Sequence, residues 1–250
     1  MKALITGASS GIGKEISIIL NDMGYDVILV AKDKKKLEKF ANTLSGNVEI
    51  IDTDISSTYN CMKLYNKVKK EDIEIIVNNA GFGLFGEFTE TKIDKEIDMI
   101  DTNIKGLHIL TKLFLKDFKE KNRGYILNVA SSAAFLPGPL MATYYSTKSY
   151  VLHLTEAINE ELRRENSNVY IGVLCPGPVD TNFNKTAGVE FNLKSLSPSY
   201  VASYAINQMF KRKTIIIPGI KIKLGVFVTR LLPRKFVTRF SYNIQRKKGN

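Results

Sequence analysis

Short apolar runs rich in β-branched residues alternate along this chain with longer stretches in which apolar side chains recur every three or four positions. The runs Ala3 to Ile5, Val27 to Val30, Val48 to Ile51, Ile73 to Val77, Tyr125 to Val129 and Val169 to Leu174 predict six strands, and Thr214 to Ile217 a seventh. Helical spacing covers Gly11 to Met23, where Gly24 stops it, and Lys34 to Leu44, with Asp33 as N-cap. It recurs over Ser57 to Lys69, Thr91 to Asp101, Thr102 to Lys119 and Thr143 to Arg164. Strands that are apolar throughout are buried on both faces. The pattern therefore predicts a parallel sheet with helices on both sides, a doubly wound α/β fold. No segment repeats at a fixed period, and residues 1–250 read as one domain.

Composition narrows the class. Hydrophobic residues make up 44% of 250 residues, too many for a disordered chain. No apolar run reaches the roughly 18 residues of a spanning helix, and Gly7 interrupts the start too soon for a signal peptide. Cys61 and Cys175 lie far apart with no metal-ligand spacing, so they read as reduced core thiols of a cytoplasmic protein that binds no metal. The net charge of +11 is unevenly placed. Glu190 is the last acid; 13 bases follow it, leaving 23 bases against 25 acids upstream.

The first strand runs into Thr6-Gly7-Ala8-Ser9-Ser10-Gly11-Ile12-Gly13, and a helix follows. Gly7 permits a sharp turn, Gly11 close approach of a pyrophosphate, and Gly13 tight packing of helix on strand. Free N–H groups and the positive helix end attract phosphate. The position of this turn makes the fold a Rossmann-type dinucleotide binder. Later in the chain, Tyr144 and Lys148 are four apart, on one face of a helix and one turn from each other. An ammonium beside a phenol favours the phenolate, so Lys148 is expected to lower the pKa of Tyr144 and to fit it for proton transfer. Tyr145 has Ser149, not a lysine, at the matching position.

The spacing Thr-Gly-x-x-x-Gly-Ile-Gly, Asn78-Asn79-Ala80-Gly81 at the end of strand four and Tyr144-x-x-x-Lys148 together resemble the short-chain dehydrogenase/reductase family over about residues 2–217. The resemblance implies an oxidoreductase that moves a hydride between nicotinamide and a small-molecule carbonyl or alcohol. It implies Ser131, 13 residues before Tyr144, as the residue that polarises the substrate oxygen, with Ser132 as its competitor. It implies Asn103 as a fourth catalytic residue, supporting a proton relay with Lys148. It assigns the cofactor to Thr6, Gly7, Ser9, Ser10, Gly11, Ile12, Gly13, Ala31, Lys32, Asp54, Ile55, Asn79, Ala80, Gly81, Tyr144, Lys148, Pro176, Gly177, Val179 and Thr181. Asp54 would contact the adenine, and Val179 and Thr181 the nicotinamide carboxamide. Residues 177–198, with Phe183, Phe191 and Leu193, would form a substrate lid. Homodimers or homotetramers are the expected assembly.

Ala31 stands where relatives that prefer NAD carry an acid, and Lys32 follows where relatives that prefer NADP often carry arginine. Lys36 adds positive field, so NADP(H) is favoured over NAD(H). The basic stretch 221–250 places Leu224, Phe227, Leu231, Phe236, Phe240 and Ile244 at helical intervals, with bases between and Pro233 splitting it in two. This extension reads either as a peripheral membrane contact or as a face packed on the body or on a sister subunit. No recognition motif for nucleic acid accompanies the charge. The rival reading of the whole chain is a non-catalytic NADP(H)-binding regulatory or membrane-associated protein on the same fold. The substrate is open among steroids, fatty-acyl ketones and small xenobiotic carbonyls.

Overall fold

The computed structural model describes residues 1–181, 183 and 195–246. Seven parallel strands form one sheet in the order β3-β2-β1-β4-β5-β6-β7. They are β1 Lys2–Thr6, β2 Asp26–Ala31, β3 Val48–Asp52, β4 Ile73–Asn78, β5 Tyr125–Val129, β6 Tyr170–Leu174 and β7 Ile215–Ile216. The order reverses between β1 and β4, which opens a crevice at their carboxyl ends. The doubly wound architecture is thus the one that the hydrophobic pattern predicts.

The helices are α1 Gly11–Asp22, α2 Lys34–Ala41, α3 Thr58–Val68, α4 Ile93–Ile100, α5 Leu107–Lys121, α6 Ala142–Arg164, α7 Pro198–Phe210, α8 Ile220–Leu231 and α9 Arg234–Arg246. One apolar cluster packs α1, α2 and α7 on one face of the sheet, through residues such as Ile5, Ile16, Leu29 and Ile206. A second packs α3 and α5 on the other, through Leu4, Leu64, Phe114 and Ile126. Burial of these side chains against both faces is the main driving force for the fold.

Two local details depart from the sequence pattern. The predicted break between Asp101 and Thr102 is instead a π-helical turn, Asp101–Gly106, that joins α4 to α5 in one continuous run. The wider turn keeps Asn103 fully buried, while Asp101 and Lys105 pair on the outside at 2.7 Å. Helix α7 was not anticipated, because its buried residues Val201, Ala202, Ala205, Ile206 and Met209 give only a weakly amphipathic pattern. Ser197, whose side chain accepts from the Tyr200 N–H, caps it, and Pro198 opens it. The extension beyond residue 220 does fold as two helices separated at Pro233.

A buried polar chain ties the sheet to two helices. Asn78 Nδ2 donates to Asn128 Oδ1 at 2.9 Å and to Thr111 Oγ1 at 3.0 Å, and Asn128 Nδ2 donates to Thr155 Oγ1 at 3.0 Å. These bonds fix α5 and α6 against β4 and β5, and so fix where α6 presents its first two turns. Asn128→Ala leaves several of these groups unsatisfied in the core. It should lower unfolding free energy by about 2 kcal/mol or more, read as a lower urea midpoint with unchanged slope.

Candidate active site

The crevice at the carboxyl edge of β1 and β4 is a cleft of about 530 Å³. Every residue expected to hold cofactor or to carry chemistry lines it, except Gly13, Asp54 and Asn103.

At one end lies the glycine turn. Gly7 has φ +65°, and a Cβ there would meet Ala80 Cα at 2.8 Å, so β1 and the end of β4 can approach only over a glycine. A Cβ on Gly13 would meet the Gly7 carbonyl oxygen at 2.6 Å and Asn79 Nδ2 at 2.4 Å. Gly13 therefore seats α1 on the turn from behind the cleft, as its spacing suggests. Asn79 and Thr6 hold the two strand ends together. Asn79 Nδ2 donates to the carbonyl of Thr6 at 3.0 Å, and Thr6 Oγ1 accepts from the N–H groups of Asn79 and Ala80. Helices α2 and α3 are capped by the side chains of Asp33 and Ser57, whereas Ser10 makes no such cap at α1. The α1 terminus thus offers its first N–H groups to the cleft, where an anion fits them. This bare cradle fits the pyrophosphate of a dinucleotide.

At the far edge, Lys32 does not stand alone. Its Nζ lies 2.8 Å from Asp54, whose other oxygen accepts the Ser56 N–H at 2.9 Å. Burial opposes ionisation of Asp54, but these bonds outweigh it and hold the carboxyl below its ordinary range. Asp54 is thereby turned onto Lys32 and is not part of the cleft wall, while Thr53 and Ile55 on either side are. The expected adenine contact from the Asp54 side chain is not what this geometry presents. Lys36 pairs with Asp33 at 2.9 Å, and Asp33 caps α2 as expected.

The other end holds the chemical groups. The first turns of α6 bury Tyr144 and Lys148 together, 8% and 5% exposed. Lys148 Nζ donates to the Val129 carbonyl at 3.0 Å and stands 5.9 Å from the Tyr144 ring centroid. Burial pushes the Tyr144 phenol well above its ordinary pKa, and the Ser131 hydroxyl beside it pulls partly the other way. The same burial lowers Lys148 to about 8. Burial thus works against the lowering of the phenol's pKa that the spacing of Tyr144 and Lys148 leads one to expect. Ser131 also accepts the Ala133 N–H at 3.1 Å, which aims its hydroxyl. Ser131 rather than Ser132 is the hydroxyl that faces the phenol.

Asn103 sits behind the wall and not in it. Its Nδ2 donates to the Phe82 carbonyl at 2.9 Å and to Thr147 Oγ1 at 3.1 Å, and its Oδ1 accepts the Phe82 N–H at 3.1 Å. Both amide donors are used, so Asn103 clamps the loop after β4 onto α6. The expected relay through Asn103 has only the remaining lone pair of Oδ1 to use.

An apolar wall completes the cleft, and the sequence did not single it out except for Phe183. Phe82, Met141, Tyr145 and Phe183 surround Tyr144, with Leu84 and Phe85 packed behind. The Phe183 ring lies 5.3 Å from that of Tyr144. Phe82 and Met141 sit in stretches with no periodic signal, so only the fold brings them together. Val179 and Leu196 pair as a bridge that closes the neck of the expected lid. Phe191 and Leu193 lie outside the described residues.

The similarities to known proteins point to one family. The family model described as short chain dehydrogenase matches residues 1–190. An uncharacterized oxidoreductase of Staphylococcus epidermidis (strain RP62A) is 32% identical over 213 residues, covering 82% of this chain and 90% of its own. Among solved structures, a short-chain dehydrogenase from Sphingobium yanoikuyae in complex with NADPH is 26% identical with a TM-score of 0.83, covering 92% of this chain and 93% of its own. A short chain dehydrogenase/reductase from Burkholderia phymatum in complex with NAD shares the fold, with 24% identity, a TM-score of 0.83 and coverage of 90% and 91%.

The pairing of burial and charge at residue 148 is measurable. Below pH about 8 the folded protein carries the full cost of a charged, buried Lys148, and that cost disappears as pH rises from about 8 towards 10.5. Lys148→Met has no such cost. Its stability minus that of the parent should be constant below pH 8 and should fall between pH 8 and 10, by urea unfolding at each pH. A difference that stays flat over this range would show that burial does not lower the pKa of Lys148.

Proposed function

Because this chain belongs to the short chain dehydrogenase family, we propose that it is an NADP(H)-dependent reductase of lipophilic ketones or aldehydes. The chain is an oxidoreductase that uses a nicotinamide cofactor; the choice of NADP(H) and of an apolar substrate is our reading. The observation that carries it is the buried Tyr144–Lys148 pair, with Ser131 beside the phenol, at the end of a cleft whose other end suits a pyrophosphate.

The nicotinamide, when bound, supplies or accepts a hydride at the substrate carbon. The protein's part is to bind, orient and move a proton. Tyr144, kept protonated by burial, donates from its Oη to the oxygen of the carbonyl as charge develops there. Ser131 Oγ hydrogen-bonds the same oxygen and orients it. Lys148 tunes the phenol and would reach the ribose of the cofactor through its remaining donors. Asn103 acts as a positioning residue through Phe82 and Thr147. Alcohol oxidation would use the same groups in reverse.

The apolar ring of Phe82, Met141, Tyr145 and Phe183 supports a lipophilic substrate, since it offers little to a charged or strongly polar one. In this reading residues 1–250 act as one domain; most of the expected lid, 177–198, lies outside the described residues. Lys32, at the end of β2, supports NADP(H): a 2′-phosphate would take it from Asp54. The reading also keeps the enzyme in the cytoplasm as a homo-oligomer, in keeping with two buried, unpaired cysteines.

Tyr144→Phe should lower kcat for NADPH-dependent reduction of an aryl or alkyl ketone by at least about 100-fold, with little change in cofactor affinity measured by NADPH fluorescence. Activity within a few-fold of the parent would remove Tyr144 from its role. Lys32→Glu should weaken NADPH by about 10-fold or more and leave NADH nearly unchanged. Equal losses for the two cofactors in steady-state kinetics would refute the preference.

A further inference from the structure

Helices α8 and α9 form a hairpin with two different faces. The inner face is anchored at the rim of the cleft. A Cβ on Gly177 would meet the Ile222 side chain at 2.7 Å, and the Arg230 guanidinium lies 6.0 Å from the centroid of the Phe135 ring. Val226, Val237, Ser241 and Gln245 are buried, and the Gln245 amide hydrogen-bonds the hydroxyl of Tyr145, a cleft residue. This answers part of the question that the sequence left open: one side of the extension packs on the body of its own chain.

The outer face is apolar and bare. Ile220 is 87% exposed, Leu231 71% and Leu224 61%, with Phe227, Phe236 and Phe240 each more than half exposed. Between the helices runs an open groove of about 380 Å³, lined by Leu224, Val228, Leu232, Phe236 and Phe240 with Lys221 at its margin. The Phe236 and Phe240 rings stack along α9. Lys221, Lys223, Arg230, Arg234, Lys235, Arg239 and Arg246 lie on the same hairpin, and it carries no acidic residue. Large exposed aromatics beside cations, on a body that is otherwise near neutral, call for an apolar partner that is also negative.

We propose that the outer face of α8 and α9 docks on the surface of an anionic lipid bilayer, with the phenylalanines and leucines entering the headgroup boundary and the bases meeting the lipid phosphates. A second copy of the chain is disfavoured as occupant, because a two-fold contact through this face would bring two basic hairpins, neither with an acidic residue, against each other. No helix among the described residues is long and apolar enough to cross a membrane, so the contact is peripheral. Because the inner face is fixed to Gly177 and Tyr145, a docked hairpin puts the cleft close to the lipid surface. The proposal rests on the hairpin alone and holds whether or not the reduction reading does.

Flotation of the full chain with vesicles tests it, comparing phosphatidylcholine alone with phosphatidylcholine containing about a third phosphatidylglycerol, at low and high salt. The protein should float with the anionic vesicles at low salt and not with neutral ones. Phe236→Ser with Phe240→Ser, and separately Arg234→Glu with Arg239→Glu, should each reduce binding by about 10-fold or more. Both pairs should keep the parent's circular dichroism melt and its NADPH oxidation on a small water-soluble ketone. No flotation with anionic vesicles at low salt would overturn the proposal. So would equal flotation with both lipids, or a dimer in sedimentation that both variant pairs abolish in the absence of vesicle binding.

Discussion

Water stabilises the charged forms of a phenol and an amine alike; here both side chains are withdrawn from it on adjacent turns of α6. Neither group is fully comfortable in its charged form. Burial holds the proton on Tyr144 and loosens one on Lys148. The rest of the structure serves to keep these two side chains in that condition. The sheet positions β5, whose Val129 carbonyl accepts from Lys148, and the polar chain from Asn78 through Asn128 to Thr155 locks α6 onto it. Asn103 and Thr147 brace the same helix from the opposite side.

The same reasoning links the two ends of the cleft. The glycine turn and the uncapped start of α1 leave donors where a phosphate can use them, and the strand reversal between β1 and β4 opens the space between that turn and α6. A dinucleotide laid along this crevice would run from the Lys32 edge to Tyr144. Around the phenol, Phe82, Met141, Tyr145 and Phe183 give this end of the cleft a largely apolar wall. The basic hairpin of α8 and α9 is anchored on that same rim.

Much of this was legible in the residues. Continuous apolar strands and a Gly7-Gly11-Gly13 turn placed between the first strand and first helix define the fold and the cofactor crevice, because period and turn chemistry are local properties. The spacing of Tyr144 and Lys148 is local too. What the sequence could not carry is anything that depends on burial or on convergence. Burial pushes the Tyr144 phenol up, against the expected effect of the spacing, and no spacing records desolvation. Phe82, Met141 and Tyr145 come from three segments and meet only in the folded chain. Asp54 turned to Lys32 because the two strand ends are adjacent in the sheet order. Helix α7 is different: Ser197 and Pro198 are an ordinary capping signal, and only the weak amphipathicity of a helix buried against α1 concealed it.

The claim on which the account turns is that burial keeps the Tyr144 proton in place, so that the resting site holds an acid and not a base. Ultraviolet difference titration of phenolate absorbance, comparing the parent chain with Tyr144→Phe in the absence of substrate and cofactor, measures this directly. The two curves should coincide up to about pH 10, the ordinary range of a tyrosine, with no phenolate assignable to residue 144. An extra phenolate in the parent near neutral pH would mean that Lys148 prevails over desolvation, and the description of this site given above would be wrong.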